Sequence, residues 1–131
     1  MSLIQYENNL RNGVLIECDK SGVLTKEENY KNDKLHGTVK IFASSKNVRI
    51  VKSFYQYNNG DLDGLQMEYN EMGKVISESN YKNGKKNGLS KWYYNNGQLA
   101  TEQNYLNDLI EGIYKTYNQQ GILVAKGQYI K

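Results

Sequence analysis

Apolar and polar residues alternate along most of this chain, in short arms separated by turns that are rich in glycine and asparagine. Within an arm the apolar positions recur every second residue, which is the period of a β-strand with one covered face. Each unit consists of a short arm, a turn, a slightly longer arm and a second turn. Neither arm is long enough for a helix that is stable in water. The pattern therefore predicts about ten strands in a continuous antiparallel meander.

The unit recurs every 24 residues, counted from tyrosine to tyrosine, except for one interval of 27 residues. A glycine follows each of the first five tyrosines by seven residues, and an amide residue precedes each of the last five. So regular a period predicts a repeat architecture. The tyrosines are Tyr6, Tyr30, Tyr57, Tyr81, Tyr105 and Tyr129. We expect residues 1–131 to form one all-β domain with repeats at about 6–29, 30–56, 57–80, 81–104 and 105–129.

The predicted fold is an elongated, solenoid-like antiparallel sheet of about five β-hairpin repeats. Two strands at ~4.8 Å each advance the sheet by about 10 Å per repeat, so that it spans roughly 50 Å. Glycine in the turns supplies the positive φ that tight hairpin loops need. The second repeat lacks one of its turn glycines and has a longer loop, which falls within residues 43–50.

Period-two alternation also predicts which side chains share a face. We expect one apolar face to carry the tyrosines, the residue six before each tyrosine, the residue directly after each glycine, and a mainly aromatic column. The residues after the glycines are Val14, Thr38, Leu65, Leu89 and Ile113, and the column is Cys18, Phe42, Tyr69, Tyr93 and Tyr117. The amides before the tyrosines are expected on the opposite, polar face with Glu27, Glu78 and Glu102.

Composition supports a thin structure, because only 38% of the residues are hydrophobic and a thick core would be hard to fill. Twelve tyrosines compensate, since each ring is apolar while its hydroxyl tolerates half-burial. A net charge of +3 with interspersed signs does not indicate a nucleic-acid binder. There is no run of 18 apolar residues, and a single cysteine excludes an internal disulfide.

Localisation stays open at this stage. The opening Met-Ser-Leu is typical of a recombinant start. We expect a cytoplasmic protein if residue 1 is native, and an exported or membrane-associated one if a signal segment was removed. The stretch Leu3-Ile4-Gln5-Tyr6 resembles the second arm of a further repeat.

The units resemble MORN repeats, in particular the bacterial variant found in the YwqK-like antitoxin family. The stretch from Gly88 to Gly97, GLSKWYYNNG, and the closing Asn104-Tyr105 carry this resemblance. The segments 57–81 and 105–129 match the same frame, and 6–30 and 30–57 are weaker copies. The resemblance implies a structural or interaction module, with a toxin as one class of partner that such a module neutralises.

Residues suited to catalysis or metal binding are few, and we predict no catalytic site, no metal site and no cofactor. His36 lies in a turn with no positioned serine or thiol, so we interpret it as an exposed turn residue. Cys18 occupies the aromatic column and is interpreted as a small buried filler rather than a nucleophile. The glutamate column is interpreted as solvated strand carboxylates, with cation binding as the alternative.

Protein binding is the better supported function, and the candidate residues are those that depart from the repeat pattern. Trp92 and Tyr114, one repeat apart, are expected close together on the face opposite the tyrosines. Tyr94 belongs to the same region, and Phe54 replaces a glutamate on that face. Exposed aromatic residues with polar neighbours are typical anchors of protein interfaces. Internal packing and homodimerisation through this face are the alternatives.

Basic residues indicate a second class of function, a structural or membrane-associated scaffold that binds anionic phospholipid. The candidates are Lys46, Arg49, Lys52, Lys85 and Lys86. A few exposed lysines are more often only a solvated edge, and a net charge of +3 attracts anionic lipid weakly. We therefore expect a non-catalytic repeat protein whose partner is another protein, toxin-like or a second copy.

Overall fold

A computed structural model describes residues 2–43 and 49–129, which form a 12-stranded antiparallel sheet and a separate two-stranded one. Ten of the strands have six to ten residues each, as the alternation predicted, and four further strands have two residues each. The strands are β1 (Ser2–Leu3), β2 (Tyr6–Glu7), β3 (Leu10–Arg11), β4 (Gly13–Cys18), β5 (Leu24–Lys31), β6 (Lys34–Ala43), β7 (Ile50–Asn58), β8 (Asp61–Tyr69), β9 (Val75–Lys82), β10 (Lys85–Lys86), β11 (Gly88–Tyr93), β12 (Leu99–Leu106), β13 (Leu109–Tyr117) and β14 (Leu123–Tyr129).

The strands follow one another across the sheet in the order of the sequence, which confirms the predicted meander. The order is β1-β4-β5-β6-β7-β8-β9-β11-β12-β13-β14, with β10 paired to β9, while β2 and β3 form a separate hairpin. The pairing of β1 with β4 is equivalent to the pairing of β5 with β6 one repeat later. Ser2 lies opposite Glu17, and the corresponding residue Lys26 lies opposite Ile41. Residues 2–3 thus occupy the place of a second arm, as the sequence indicated.

Two kinds of turn alternate along the sheet, one at each end of the strands. At one end the two central residues both have positive φ, for example Asn59 at 48° and Gly60 at 91°, as in the turns that suit the twist of a hairpin. At the other end an Asx side chain closes the turn. The carboxylate of Asp19 accepts hydrogen bonds from the backbone N–H groups of Ser21 and Val23 at 2.8 and 3.0 Å.

The amide residue directly before each tyrosine and the glycine seven residues after the same tyrosine form one structural motif. Leu65 donates its backbone N–H to Oε1 of Gln56 at 2.7 Å, and Asn80 donates to the carbonyl of Leu89 at 3.0 Å. The amide reaches these groups because the intervening glycine has no side chain. A Cβ atom on Gly64, where φ is 109°, would collide with the Gln56 amide. The amides therefore bind the backbone of the next arm rather than one another.

The strand register places several columns differently from the sequence expectation. Leu89 lies directly opposite Asn104, and Ser90 lies directly opposite Gln103, so that each of these pairs shares a face. The residues after the glycines therefore share a face with the amides, and so does the column of Cys18, Phe42, Tyr69, Tyr93 and Tyr117. The expectation of one apolar face with the tyrosines was wrong, because register rather than period within one arm decides which columns meet.

We call the two sides the tyrosine face, which carries Tyr30, Tyr57, Tyr81, Tyr105 and Tyr129, and the amide face, which carries Asn29, Gln56, Asn80, Asn104 and Gln128. Among the described residues, Val39 and Phe42 are the buried hydrophobic side chains. The buried polar residues are Ser53, Ser79, Ser90 and Gln103, all on the tyrosine face. The tyrosine face is therefore the better covered side.

The accessible surface is large for the size of the chain, which is the consequence of a single-layer sheet. It measures 8579 Å², whereas a compact monomer of 15.1 kDa exposes about 7,100 Å². A sheet with no second layer leaves much of one face in water. The faces of the sheet are therefore accessible to solvent over much of their area.

Candidate binding surfaces

Trp92 and Tyr114 lie on one face, as expected, but this is the tyrosine face rather than the face opposite it. Trp92 is directly opposite Thr101, and Tyr114 is directly opposite Gln103. Thr101, Gln103 and Tyr105 are every second residue of β12, so their side chains point to the same side of the sheet. The predicted face was wrong for both residues.

Trp92 is half-buried and contacts a lysine of its own chain. The ammonium of Lys86 lies 5.7 Å from the centre of the Trp92 ring and 4.9 Å from the centre of the Tyr105 ring. A cation over two ring faces is an attractive contact of about 0.5–1 kcal/mol at exposed sites. In the first repeat, Arg11 lies 4.3 Å from the centre of the Tyr30 ring in the equivalent place. The Lys86 ammonium therefore lies on the tyrosine face, against two aromatic rings.

Tyr114 packs across the last strand of the sheet. Its ring lies 5.5 Å from the ring of Tyr129. A Cβ atom added to Gly127 would collide with the Tyr114 ring. The ring therefore packs over Gly127, where the absence of a side chain leaves room for it. The expected alternative of internal packing therefore accounts for part of the surface of both Trp92 and Tyr114.

Tyr94 and Phe54 lie apart from this pair. The Tyr94 hydroxyl donates a hydrogen bond of 2.7 Å to the backbone carbonyl of Tyr117, and so joins neighbouring repeats. Phe54 lies opposite Lys40 and Met67 on the amide face, and therefore not on the face of Trp92. The four aromatic candidates do not form one surface.

The basic candidates do not form one surface either. Arg49 and Lys52 are exposed near the loop between β6 and β7, where the Arg49 guanidinium lies 5.6 Å from the centre of the Phe42 ring. Lys85 is exposed beside the turn between β9 and β10, at the opposite end of the strands. Lys46 lies outside the described residues. The structure therefore separates Lys85 and Lys86 from Arg49 and Lys52.

An exposed apolar row crosses the amide face, although the sequence pattern predicted its members on the same face as the tyrosines. It consists of the residues that directly follow four of the repeat glycines, and their side chains are 37–46% exposed. We call Val14, Leu65, Leu89 and Ile113 the aliphatic row. The strand register identifies this row, since each member lies directly opposite an amide residue of the following arm.

Ion pairs between neighbouring strands run beside the aliphatic row. Glu78 lies 3.8 Å from the ammonium of Lys91 and accepts a hydrogen bond of 2.7 Å from the Tyr93 hydroxyl. One repeat later, Glu102 lies 3.8 Å from Lys115 and accepts a hydrogen bond from Tyr117. A cavity of about 190 Å³ lies between Leu89 and Ile113, with Glu102 and Lys115 in its wall.

Burial and the Glu78 carboxylate together raise the pKa of the Tyr93 hydroxyl to about 12. Since the unfolded phenol titrates near pH ~10, the folded chain holds this proton more tightly. We expect the resulting stability to be complete below about pH 10 and lost as the pH rises towards about 12. With allowance for solvent screening, the raised pKa contributes about 1 kcal/mol to the free energy of unfolding. Urea unfolding between these pH values measures it, with Tyr93→Phe as the comparison.

Other tyrosines also have raised pKa values, so the informative quantity is the difference between the two proteins. We expect Tyr93→Phe to lose less stability than the parent chain over this pH interval. Parallel pH profiles for the parent and Tyr93→Phe would contradict the prediction.

Residues considered for chemistry have structural contacts in the sheet. His36 is half-buried rather than exposed, and its Nδ1 accepts a hydrogen bond of 3.2 Å from the backbone N–H of Asn59. Cys18 is also half-buried. Within the described ranges, no group of three or more His, Cys, Asp or Glu residues is placed to hold a metal ion. The same residues contain no helix that is long and apolar enough to cross a membrane.

The fold defines an open array of β-hairpin repeats, and comparison with known families identifies its type. The model of the family described as "MORN repeat variant" matches residues 62–83, 86–107 and 110–131, which is just over half of the chain. The chain therefore belongs to the MORN repeat variant family. No curated protein sequence matches it.

Two solved structures show a distant similarity. One is a mutant of S. aureus TarM in complex with fondaparinux, α-GlcNAc-glycerol and UDP, with a TM-score of 0.47 and 15% identity over 84% of this chain and 21% of that chain. The other, described as TarM, has a TM-score of 0.46 and 15% identity over 83% of this chain and 20% of that chain. The chain thus spans about a fifth of their length, and a similarity this weak supports no inference about function.

Proposed function

We propose that this chain is a non-catalytic repeat module that binds another protein through the aliphatic row on its amide face. The observation that carries the proposal is the exposure of Leu65, Leu89 and Ile113 at 37–46% on one side of a single-layer sheet. Membership of the MORN repeat variant family supports a binding role, since such repeats commonly serve as interaction modules.

The composition of the amide face suits a protein partner. Equivalent residues of successive repeats lie about 10 Å apart, so the row forms an apolar strip across several repeats. The Glu78–Lys91 and Glu102–Lys115 pairs border the strip, which gives an apolar centre with a polar rim. The 190 Å³ cavity between Leu89 and Ile113 is of a size to accept one aliphatic side chain of the partner.

The mechanism that follows is occlusion by a rigid surface. Backbone hydrogen bonds fix the strands before the partner arrives, so little conformational entropy is lost on binding. Resemblance to the YwqK-like antitoxins suggests a toxin as the partner, whose active surface the sheet covers. A second copy of the chain is the competing partner, and the experiment below separates the two.

Lipid attachment is less well supported as a function. A basic membrane-binding patch needs several cations on one side of the molecule. Lys85 and Arg49 lie at opposite ends of the strands, and Lys86 contacts aromatic rings. Salt dependence tests this directly, since binding through lysines weakens strongly at about 0.5 M salt while an apolar interface persists.

We expect the double variant Leu89→Ser with Ile113→Ser to lose partner binding by about a hundredfold, because two anchors at the centre of the strip are removed. The measurement is capture of a stoichiometric partner from a lysate of the source organism at high salt. Binding is then reconstituted with the purified partner. Met72→Ser is the matched control, since Met72 is 79% exposed in a turn away from the row.

A second double variant, Trp92→Ser with Tyr114→Ser, tests the surface that the sequence indicated. If this variant loses the partner and Leu89→Ser with Ile113→Ser does not, the binding surface is the tyrosine face and the proposal is wrong. A homodimer that Leu89→Ser with Ile113→Ser dissociates, with no captured partner, would identify a second copy as the partner and exclude the antitoxin role.

A further inference from the structure

Two rows of side chains run next to each other across the strands of the amide face. In the aliphatic row, Leu65, Leu89 and Ile113 recur on every second strand and are therefore about 10 Å apart. The other row lies two residues further along each strand, about 7 Å away, and has one charged residue on each of four successive strands. We call Glu78, Lys91, Glu102 and Lys115 the charged row.

The charged row alternates in sign from strand to strand, at a spacing of about 4.8 Å. Its two ion pairs are long, at 3.8 Å, and their side chains are 19–36% exposed. Charges this accessible can take a second opposite charge from a partner and still keep the first. The amide face is therefore complementary to a partner with apolar side chains about 10 Å apart and alternating charges about 5 Å apart beside them.

An α-helix that lies across the strands has both of these spacings. Residues seven apart on a helix lie on one face and are separated by about 10.5 Å along the axis. Residues three and four apart follow one flank at intervals of about 4.5 and 6 Å, so that the flank offers one charge to each strand of the sheet.

Extended backbones do not have both spacings. A β-strand presents side chains to one side about every 7 Å, which matches neither row. A polyproline helix presents every third residue, at about 9.3 Å, and so matches the aliphatic row. Its flank has the same spacing of about 9.3 Å, however, and would meet charges of only one sign in the charged row.

We infer that the aliphatic row binds an amphipathic α-helix of a partner protein, with an aliphatic residue at every seventh position and charges of alternating sign along one flank. This inference rests on the proposed function, because it names the kind of partner segment that the row takes. The cavity of about 190 Å³ between Leu89 and Ile113 receives one of the aliphatic residues. Beside it, a lysine of the helix pairs with Glu102 and a glutamate pairs with Lys115.

A second copy of the chain is a poor source of this helix. The described residues form strands and turns, and the strands are joined to one another in a continuous sheet. The spacing and charge of the amide face therefore favour a helical segment of a different protein.

The test uses three synthetic peptides, each of three heptads, with the intact 131-residue chain as receptor. The probe LKAAEQALKAAEQALKAAEQA has leucine at every seventh position, and its lysines and glutamates alternate along one flank. The peptide LEAAKQALEAAKQALEAAKQA exchanges the two charges, and LKPAEQALKPAEQALKPAEQA keeps them but contains helix-breaking prolines. Fluorescence anisotropy of labelled peptides gives the dissociation constants. We expect the probe to bind about tenfold more tightly than either of the other peptides.

Exchange of the charges in the sheet is expected to invert the preference between the first two peptides. The variant combines Glu78→Lys, Lys91→Glu, Glu102→Lys and Lys115→Glu, so that neighbouring residues of the charged row still have opposite signs. Lys85→Glu, in an exposed position beside a turn, is the control and should leave both dissociation constants unchanged. Circular dichroism checks that the variants keep the sheet, and the comparison of the three peptides on the parent chain does not depend on them.

Leu89→Ser with Ile113→Ser should lose the probe by about tenfold or more, since the leucines of the helix then have no apolar neighbours. Undiminished binding of the probe by this variant would overturn the inference. Equal affinity of the parent chain for the probe and either other peptide, or no binding at about 1 mM probe, would also overturn it. Capture from the lysate tests the proposed function separately. A captured partner that Leu89→Ser with Ile113→Ser loses, together with failure of the probe, would refute the helix and retain the aliphatic row.

Discussion

Replacement of Gly64 by alanine is expected to lower the free energy of unfolding by about 3 kcal/mol, although it adds only one methyl group. Gly64 has a φ of 109°, a region that residues with a side chain adopt only at a cost of about 1–3 kcal/mol. The added Cβ atom also collides with the Gln56 amide. Displacement of this amide breaks its hydrogen bond of 2.7 Å from the Leu65 N–H.

The matched control is Gly73→Ala, in the turn at the other end of the same hairpin. Gly73 also has a positive φ, of 78°, but a Cβ atom there meets nothing within 4 Å. We expect a loss of about 1 kcal/mol from backbone strain alone. Urea unfolding of both variants measures the difference. Equal losses would show that the contact between glycine and amide contributes nothing beyond strain.

The second large effect is expected at Ser90, where replacement by leucine should cost about 3 kcal/mol. Ser90 is 1% exposed on the tyrosine face, and its hydroxyl donates a hydrogen bond of 3.0 Å to the Ser79 hydroxyl. Gln103, also buried, lies directly opposite Ser90 in the next strand. A leucine side chain has no space between these neighbours, and the Ser79 hydroxyl loses its partner.

Two further variants separate volume from hydrogen bonding at this position. Ser90→Ala removes only the hydroxyl, so we expect a loss of about 1 kcal/mol. Ser21→Leu makes the same change in an exposed turn and should alter stability by less than about 0.5 kcal/mol. Thermal or urea unfolding gives all three values. If Ser90→Leu unfolds at the same urea concentration as Ser90→Ala, the site has room that the structure does not show.

The faces on which the candidate binding residues lie could not be found from the sequence. The repeat frame identified Trp92 and Tyr114 as departures from the pattern, and both do lie on one face. Their contacts with Lys86 and Gly127 involve residues 6 and 13 positions away, which no periodicity indicates. The members of the aliphatic row were assigned to the same apolar face as the tyrosines, because they are apolar and alternate correctly within their own arms.

The sequence by itself determined the architecture. A constant spacing of tyrosine, glycine and amide specifies where each strand ends, because positive φ at Asn59-Gly60 or Gly73 restricts the turns to a few residue types. Only the tertiary structure decided which face is covered. Side chains alternate along every strand, but the register between strands, set by the bulge at each repeat glycine, determines which columns stack. For that reason Leu89 and Ile113 are exposed on the amide face, while Ser90, which directly follows Leu89 and lies on the tyrosine face, is the most deeply buried residue described.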